Sequence, residues 1–431
     1  MRFIKVVGFV FLPLIIAALL FTGCGKKEDD NRIHLEVMYW GSHEEVKIIE
    51  NIVAEWEKEH PTVDVDLQHT PGVGNYTNKL LTRVAGGAPP DIAFAEVGIF
   101  VDFVTHDLFT DLNPYIQNDP DFSIDIYFPD VVKRFTRDGK VLGVPRDTAP
   151  FACVYYNKRM FDEAGLEYPS DDWNTDEMLE IAKALTKQDS KGRTVKYGFY
   201  SPFYENCLYT FGGKLVDNVD SPKKCMLGTE KSIAGLQFFA DLHTKYKVSP
   251  DPEALGSTGK SANQLFMTGQ VAMYNSGIWE SPALRHINTF DWDVAMFPKG
   301  PDGKRAFATG GSAYCILKTT EHPQEAWEVV KALAGAKGQI MMAQKGLAQP
   351  AIKEIAEGPY WAGDKQKPLN KGMLNEAVKY VVYSPFNSKW REVQDKYIYP
   401  ALDHLRLGDI DAKEFSQRVI PEVNEMLKEG K

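Results

Sequence analysis

Ile33-His34-Leu35-Glu36-Val37-Met38-Tyr39-Trp40-Gly41-Ser42-His43-Glu44-Glu45-Val46 changes its hydrophobic period part-way along, and that change decides the fold. Ile33, Leu35, Val37 and Tyr39 alternate with His34, Glu36, Met38 and Trp40, the period of a strand. Gly41 breaks the alternation. Ser42, with Glu45 three residues on, predicts a capping box for a helix whose apolar face is Val46, Ile49, Ile52, Val53 and Trp56. Beyond Pro61, Val63, Val65 and Leu67 alternate as a second strand. A helix bearing Tyr76, Leu80, Leu81 and Val84 follows and stops at Gly86-Gly87-Ala88-Pro89-Pro90. Asp91-Ile92-Ala93-Phe94-Ala95 is a short apolar strand. The order β-α-β-α-β predicts an α/β fold with a mainly parallel sheet covered by helices. In such open sheets ligands bind beyond the carboxyl ends of the strands. Trp40-Gly41-Ser42 and Glu96 end the first and third strands, so both are expected at one crevice.

A second α/β region lies downstream. Val141 to Val144 and Phe151 to Tyr156 read as strands around a stiff segment bracketed by Pro145 and Pro150. Asn174 and Glu177 predict a capping box, and a further helix is expected from about Lys231 to Tyr246. From Met341 to the end the pattern is helix-rich. Roughly 400 residues exceed what one hydrophobic core organises, so two lobes are expected.

Without residues 1–23 the chain carries 47 basic against 59 acidic side chains, an acidic surface that argues against nucleic acid and anionic lipid as partners. Cys153, Cys207, Cys225 and Cys315 lack metal-ligand spacing. Cys153 and Cys315 sit in apolar strand-like stretches and are expected to be buried. In an oxidising compartment a Cys207–Cys225 bridge is an open alternative. Arg2 and Lys5 precede an apolar run from Val6 to Phe21, the pattern of an export signal. Gly23-Cys24 and the polar Gly25-Lys26-Lys27-Glu28-Asp29-Asp30 resemble a bacterial lipoprotein cleavage box, although Phe21 stands where Leu is usual. That resemblance implies a signal peptide over 1–23, lipid on Cys24, and a tether over 24–32. An uncleaved N-terminal anchor is the alternative.

The order of motifs resembles a family along nearly the whole chain beyond the tether. Val37-Met38-Tyr39-Trp40-Gly41-Ser42, Tyr76-Thr77-Asn78-Lys79-Leu80, and Ala85-Gly86-Gly87-Ala88-Pro89-Pro90-Asp91 come first. Gly139-Lys140-Val141-Leu142-Gly143-Val144-Pro145, Tyr155-Tyr156-Asn157-Lys158 and Phe161-Asp162-Glu163-Ala164-Gly165-Leu166 follow. Phe266-Met267-Thr268-Gly269-Gln270-Val271-Ala272-Met273, Gly277-Ile278-Trp279, Asp291-Trp292-Asp293-Val294-Ala295-Met296-Phe297-Pro298 and Gly310-Gly311-Ser312 complete the set. Together they resemble the family 1 extracellular solute-binding proteins of ABC importers, the group that includes maltose-binding protein.

The resemblance implies a periplasmic-binding-protein-like fold of two α/β lobes, each a mostly parallel sheet flanked by helices. The expected lobes are 33–147 with 278–313, and 148–277 with 314–431. They are joined by hinge crossings near Pro145 to Pro150, Val271 to Gly277, and Gly311 to Ile316. It also implies a carbohydrate ligand held between the lobes, a membrane permease that reads the closed form, no cofactor or metal, and a monomer.

Sugars offer hydroxyls and weakly apolar faces, so a site needs flat rings, carboxylates or amides, and exposed backbone N–H groups. Trp40, Gly41, Ser42 and Glu96 are expected at the crevice edge, and Asp147 at the first crossing. For Asp147 the competing reading is an ion pair with Arg146. By resemblance, Tyr204 and Glu205 supply second-lobe contacts, Gly277 and Trp279 a ring beside the second crossing, and Gly310, Gly311 and Ser312 a close backbone approach. Tyr383 is a further expected contact. A non-sugar solute (glycerol phosphate, a polyamine or a peptide) is the alternative ligand class. An extracellular glycosidase is the alternative activity, though no Gly-x-Ser-x-Gly elbow or zinc-protease motif supports catalysis.

Overall fold

The computed structural model describes residues 31–430, so the export signal, Cys24 and most of the tether lie outside the described residues. The opening stretch folds as its period predicts. Ile33–Tyr39 is a strand and His43–Glu59 a helix, followed by strand Val63–His69, helix Val73–Ala85 and strand Ile92–Glu96. Ile33–Tyr39 pairs parallel with both other strands. The Ser42 Oγ accepts the Glu45 N–H at 3.2 Å, which is half of the expected capping box. The other half is absent because the Glu45 carboxylate turns instead to Arg146. Asn174 and Glu177 do make both halves of theirs.

Two mixed sheets organise the chain. The first runs in the order Val63–His69, Ile33–Tyr39, Ile92–Glu96, Ser312–Ile316, Val144–Thr148, Gln349–Pro350. The second runs Trp292–Met296, Cys153–Asn157, Val271–Ser276, Thr194–Tyr200, Lys187–Gln188. Neither is mostly parallel, contrary to expectation. Ser312–Ile316 is antiparallel to both neighbours, and in the second sheet only Val271–Ser276 with Thr194–Tyr200 runs parallel. Ser312–Ile316 returns from the other sheet rather than over a crossover helix, so nothing imposes the parallel direction on it. Among the described residues, five strands of five or more residues, among them Cys153–Asn157 and Ser312–Ile316, are buried along their whole length, as strands covered on both faces must be.

The sheets also divide the chain differently from the expected lobes. Trp292–Met296, expected with the first lobe, pairs with Cys153–Asn157 in the second sheet. Ser312–Ile316 and Gln349–Pro350 belong to the first sheet, although residues from 314 onward were expected in the second lobe. Val271–Ser276 is not a crossing. It is the central strand of the second sheet, bonded to Cys153–Asn157 on one side and Thr194–Tyr200 on the other. The chain passes between sheets at 148–153, at 296–312 and after Pro350. The C-terminal helices Tyr399–Leu407 and Ala412–Glu429 then pack on helix Glu230–His243, beside the second sheet.

Cys153, Cys207, Cys225 and Cys315 are all buried and unbridged, so the Cys207–Cys225 alternative is not realised. Among the described residues no helix is long and apolar enough to cross a membrane.

Candidate functional site

Register brings the first group of polar side chains together. Ser312 stands opposite Glu96 on one side and Asp147 on the other, so three adjacent strands present one row at the crevice edge. Gly311 immediately before it has φ +116°, which a side chain rarely tolerates, and its carbonyl accepts the Val97 N–H at 3.1 Å. The Gly310–Gly311 backbone can therefore lie flat against whatever fills the crevice.

A cavity of about 420 Å³ opens there, within the usual range for small-molecule sites. Trp40, Gly41, Ser42, Glu96, Asp147, Gly310, Gly311 and Ser312 line it from the first sheet and the connections to it. Phe151, Ile278 and Trp279 line it from the second. Trp40 follows its strand and is half-buried, its ring 4.5 Å from Phe94 and 4.8 Å from Tyr76. Trp279 meets Phe151 edge-on at 5.4 Å. The two indoles thus border one space, each packed against different rings.

Each carboxylate in the wall has a different occupation. Asp147 is 2% exposed. One of its oxygens accepts Arg146 Nε at 2.6 Å, and both accept the Ser312 hydroxyl at 3.0 Å. The Ser312 N–H adds a further bond at 3.1 Å. The ion-pair reading of Asp147 is therefore the one its geometry fits, because its acceptor positions are filled by the protein. Arg146 also binds Glu45 at 2.5 Å and lies 4.2 Å above the Phe94 ring. Glu96 differs. Its Oε2 caps helix Val97–Thr105 by accepting the Gly98 N–H at 2.7 Å, while the carboxylate borders the cavity beside Gly310. Burial, reinforced by Asp147, pushes its carboxyl up to about 7 against the pull of the Gly98 and Ile99 N–H groups.

Four expected residues do not line the cavity. Tyr204 is 1% exposed and packs edge-on to Phe239, with its hydroxyl unpartnered; it belongs to the core under helix Tyr204–Thr210. Glu205 is half-buried on the same short helix, and burial pushes its carboxyl up to about 7. Tyr383 lies beneath the Arg134 guanidinium, 4.6 Å from its centre, outside the cavity. Gly277 acts from behind: a Cβ there would fall within 2 Å of the Trp279 indole, so its lack of a side chain is what lets the ring fold back.

Sequence reasoning missed Phe94, Phe151, Ile278, Leu347 and Ala348 in the cavity wall. Phe151 had a signal, since it follows Pro150 at a passage between the sheets; it lies in a turn before Cys153–Asn157 rather than in the strand. Leu347 and Ala348 come from far downstream and carried none.

Comparison with known proteins places the chain in context. The family model described as bacterial extracellular solute-binding protein matches residues 40–340. The arabinooligosaccharide-binding protein of Halalkalibacterium halodurans is 26% identical over 69% of this chain and 66% of its own length. The galactooligosaccharide-binding protein of Bacillus subtilis is 23% identical over 81% of this chain and 82% of its own. An ABC substrate-binding protein from Listeria monocytogenes, solved with cycloalternan, superposes with a TM-score of 0.83 at 24% identity. That superposition covers 92% of this chain and 99% of the Listeria chain.

Proposed function

The chain belongs to the family of bacterial extracellular solute-binding proteins, whose members bind solutes without transforming them, and from that premise we propose that it captures a carbohydrate, an oligosaccharide, for an ABC importer. The observation that supports this reading is that Trp40, Trp279, the Glu96 carboxylate and the Gly310–Gly311 backbone all line one cavity. Indole faces suit sugar C–H faces, and a carboxylate with an open acceptor position suits hydroxyls. The relatives named for arabino- and galactooligosaccharides, and the cycloalternan complex, support the same ligand class. The lobes of the proposal follow the two sheets and swing about the passages at 148–153, 296–312 and beyond Pro350. Lobe closure over the sugar creates the surface that the permease subunits read. Lipid on Cys24 tethers the protein, as a monomer, to the outer side of the cell membrane.

The test is thermal unfolding against mono-, di- and oligosaccharides. A ligand bound only by the folded protein stabilises it by about 2.7 kcal/mol at a hundredfold excess over its Kd. A raised Tm with one saccharide class, with the sugar recovered unchanged, supports the reading. Flat curves across all sugars, with a shift from a polyamine or peptide, would replace the ligand class.

A further inference from the structure

The charged side chains lining the cavity are Glu45, Glu96, Arg146 and Asp147, three carboxylates against one guanidinium. The guanidinium is committed: Arg146 holds Glu45 and Asp147 at once, and it is 7% exposed. Arg134, which pulls on Glu96 without lining the cavity, is also engaged, by Asp220 at 2.8 Å and by the Ser384 carbonyl at 2.7 Å. Asp147 and Glu45 spend their charge on Arg146, whereas the partners of Glu96 are the backbone N–H groups of Gly98 and Ile99, with no ion pair among the described residues. A group entering the cavity beside Gly310 therefore meets a carboxylate with no cation paired to it.

We propose that Glu96 selects ligands of the cleft by charge: it accepts neutral saccharides, favours those bearing a protonated amine, and rejects those bearing a uronate or phosphate. The inference rests on the carbohydrate reading above. An acidic sugar would place like charges close together in a half-buried space, where solvent screens them weakly. An ammonium would find the carboxylate and, across the cavity, the indole faces that attract cations. Burial, more than the neighbouring Asp147, pushes the Glu96 carboxyl up to about 7, so the selection by charge operates above that pH. Glycerol phosphate, one of the alternative ligands, is disfavoured on the same ground.

The experiment is binding to an array of neutral glucose, galactose, mannose and arabinose oligosaccharides, with their 2-aminoethyl glycosides, whose amines stay protonated, uronate oligomers and sugar phosphates, at pH 8. Affinities are measured for the wild type, Glu96→Gln and Glu96→Asp. The expected result is wild-type affinity at least tenfold weaker for acid-bearing members than for the best neutral member. That ratio falls toward one in Glu96→Gln and persists in Glu96→Asp, which keeps the charge. Acid-bearing sugars binding the wild type as well as neutral ones do, or an unchanged ratio in Glu96→Gln, would overturn the proposal while leaving the sugar reading intact. Binding of no member at all would overturn both.

Discussion

Gly277 lies directly behind the indole of Trp279, so closely that a Cβ at residue 277 would stand 1.8 Å from the ring's Cζ3. The glycine is a positioning residue, and the tryptophan is the side chain that it delivers to the cavity. Gly277→Ala must push the ring out of place, because no real Cβ approaches so near. Both Gly277→Ala and Trp279→Ala should weaken saccharide affinity by at least about 30-fold, the scale of a lost aromatic anchor. Calorimetric titration checks this, with the far-ultraviolet dichroism of both variants unchanged. Full affinity in Gly277→Ala would remove the ring from the site.

Arg146 joins residues a hundred positions apart, binding Glu45 of the first helix and Asp147 beside it in the sheet. Removing the guanidinium leaves two carboxylates buried without a cation. Arg146→Met should therefore lower the unfolding free energy by about 3–5 kcal/mol, the usual cost of breaking a buried ion pair from one side. Urea denaturation measures it. Glu45→Gln with Arg146 intact should cost less, since Asp147 still holds the guanidinium.

His243 sets an acid limit on stability. It is 5% exposed, its Nδ1 lies 2.9 Å from the Pro250 carbonyl, and burial, with Arg406 nearby, holds its pKa down at about 4. The unfolded chain takes up this proton near 6.5, the folded chain only near 4. The stabilising contribution is therefore present at neutral pH and lost as the pH falls from 6.5 toward 4. It amounts to up to about 3 kcal/mol. Urea midpoints at pH 7.5 and 4.5 should show a steeper acid loss in the wild type than in His243→Gln.

Cys207 and Cys225 make a further expectation. Both are buried and free, and burial pushes their thiols up, to about 12 and about 11. Protein purified without reductant should show no accessible thiol among residues 31–430 while folded and four in denaturant. Reductant should leave its Tm unchanged. Two thiols in denaturant would mean a bridge.

How much of this was legible follows from how local each signal is. The change of period at Gly41 is written in consecutive residues, so the opening strand, helix and parallel pairs could be read directly. The rule that ligands lie beyond strand ends then pointed to Trp40 and Glu96, and both border the cavity. The partners of a strand are not local. Gly277 after Val271–Ser276 looked like a hinge, yet that strand is bonded on both sides within the second sheet. The return of Ser312–Ile316 between Ile92–Glu96 and Val144–Thr148 has no periodic signature either. Tyr204 failed for a related reason: on a helix of seven residues, six of them buried, the pattern does not say which face looks into the cleft. The Glu45–Arg146 pair was hidden because the capping pattern Ser42-x-x-Glu45 gave its carboxylate a plausible local use.

A crystal structure of the protein grown with the saccharide that raises its Tm most tests the central claim directly. The account predicts a sugar ring between the Trp40 and Trp279 indoles, with a hydroxyl on the Glu96 carboxylate and the Gly310–Gly311 backbone against its edge. A saccharide seated elsewhere, or one touching neither indole, would contradict it.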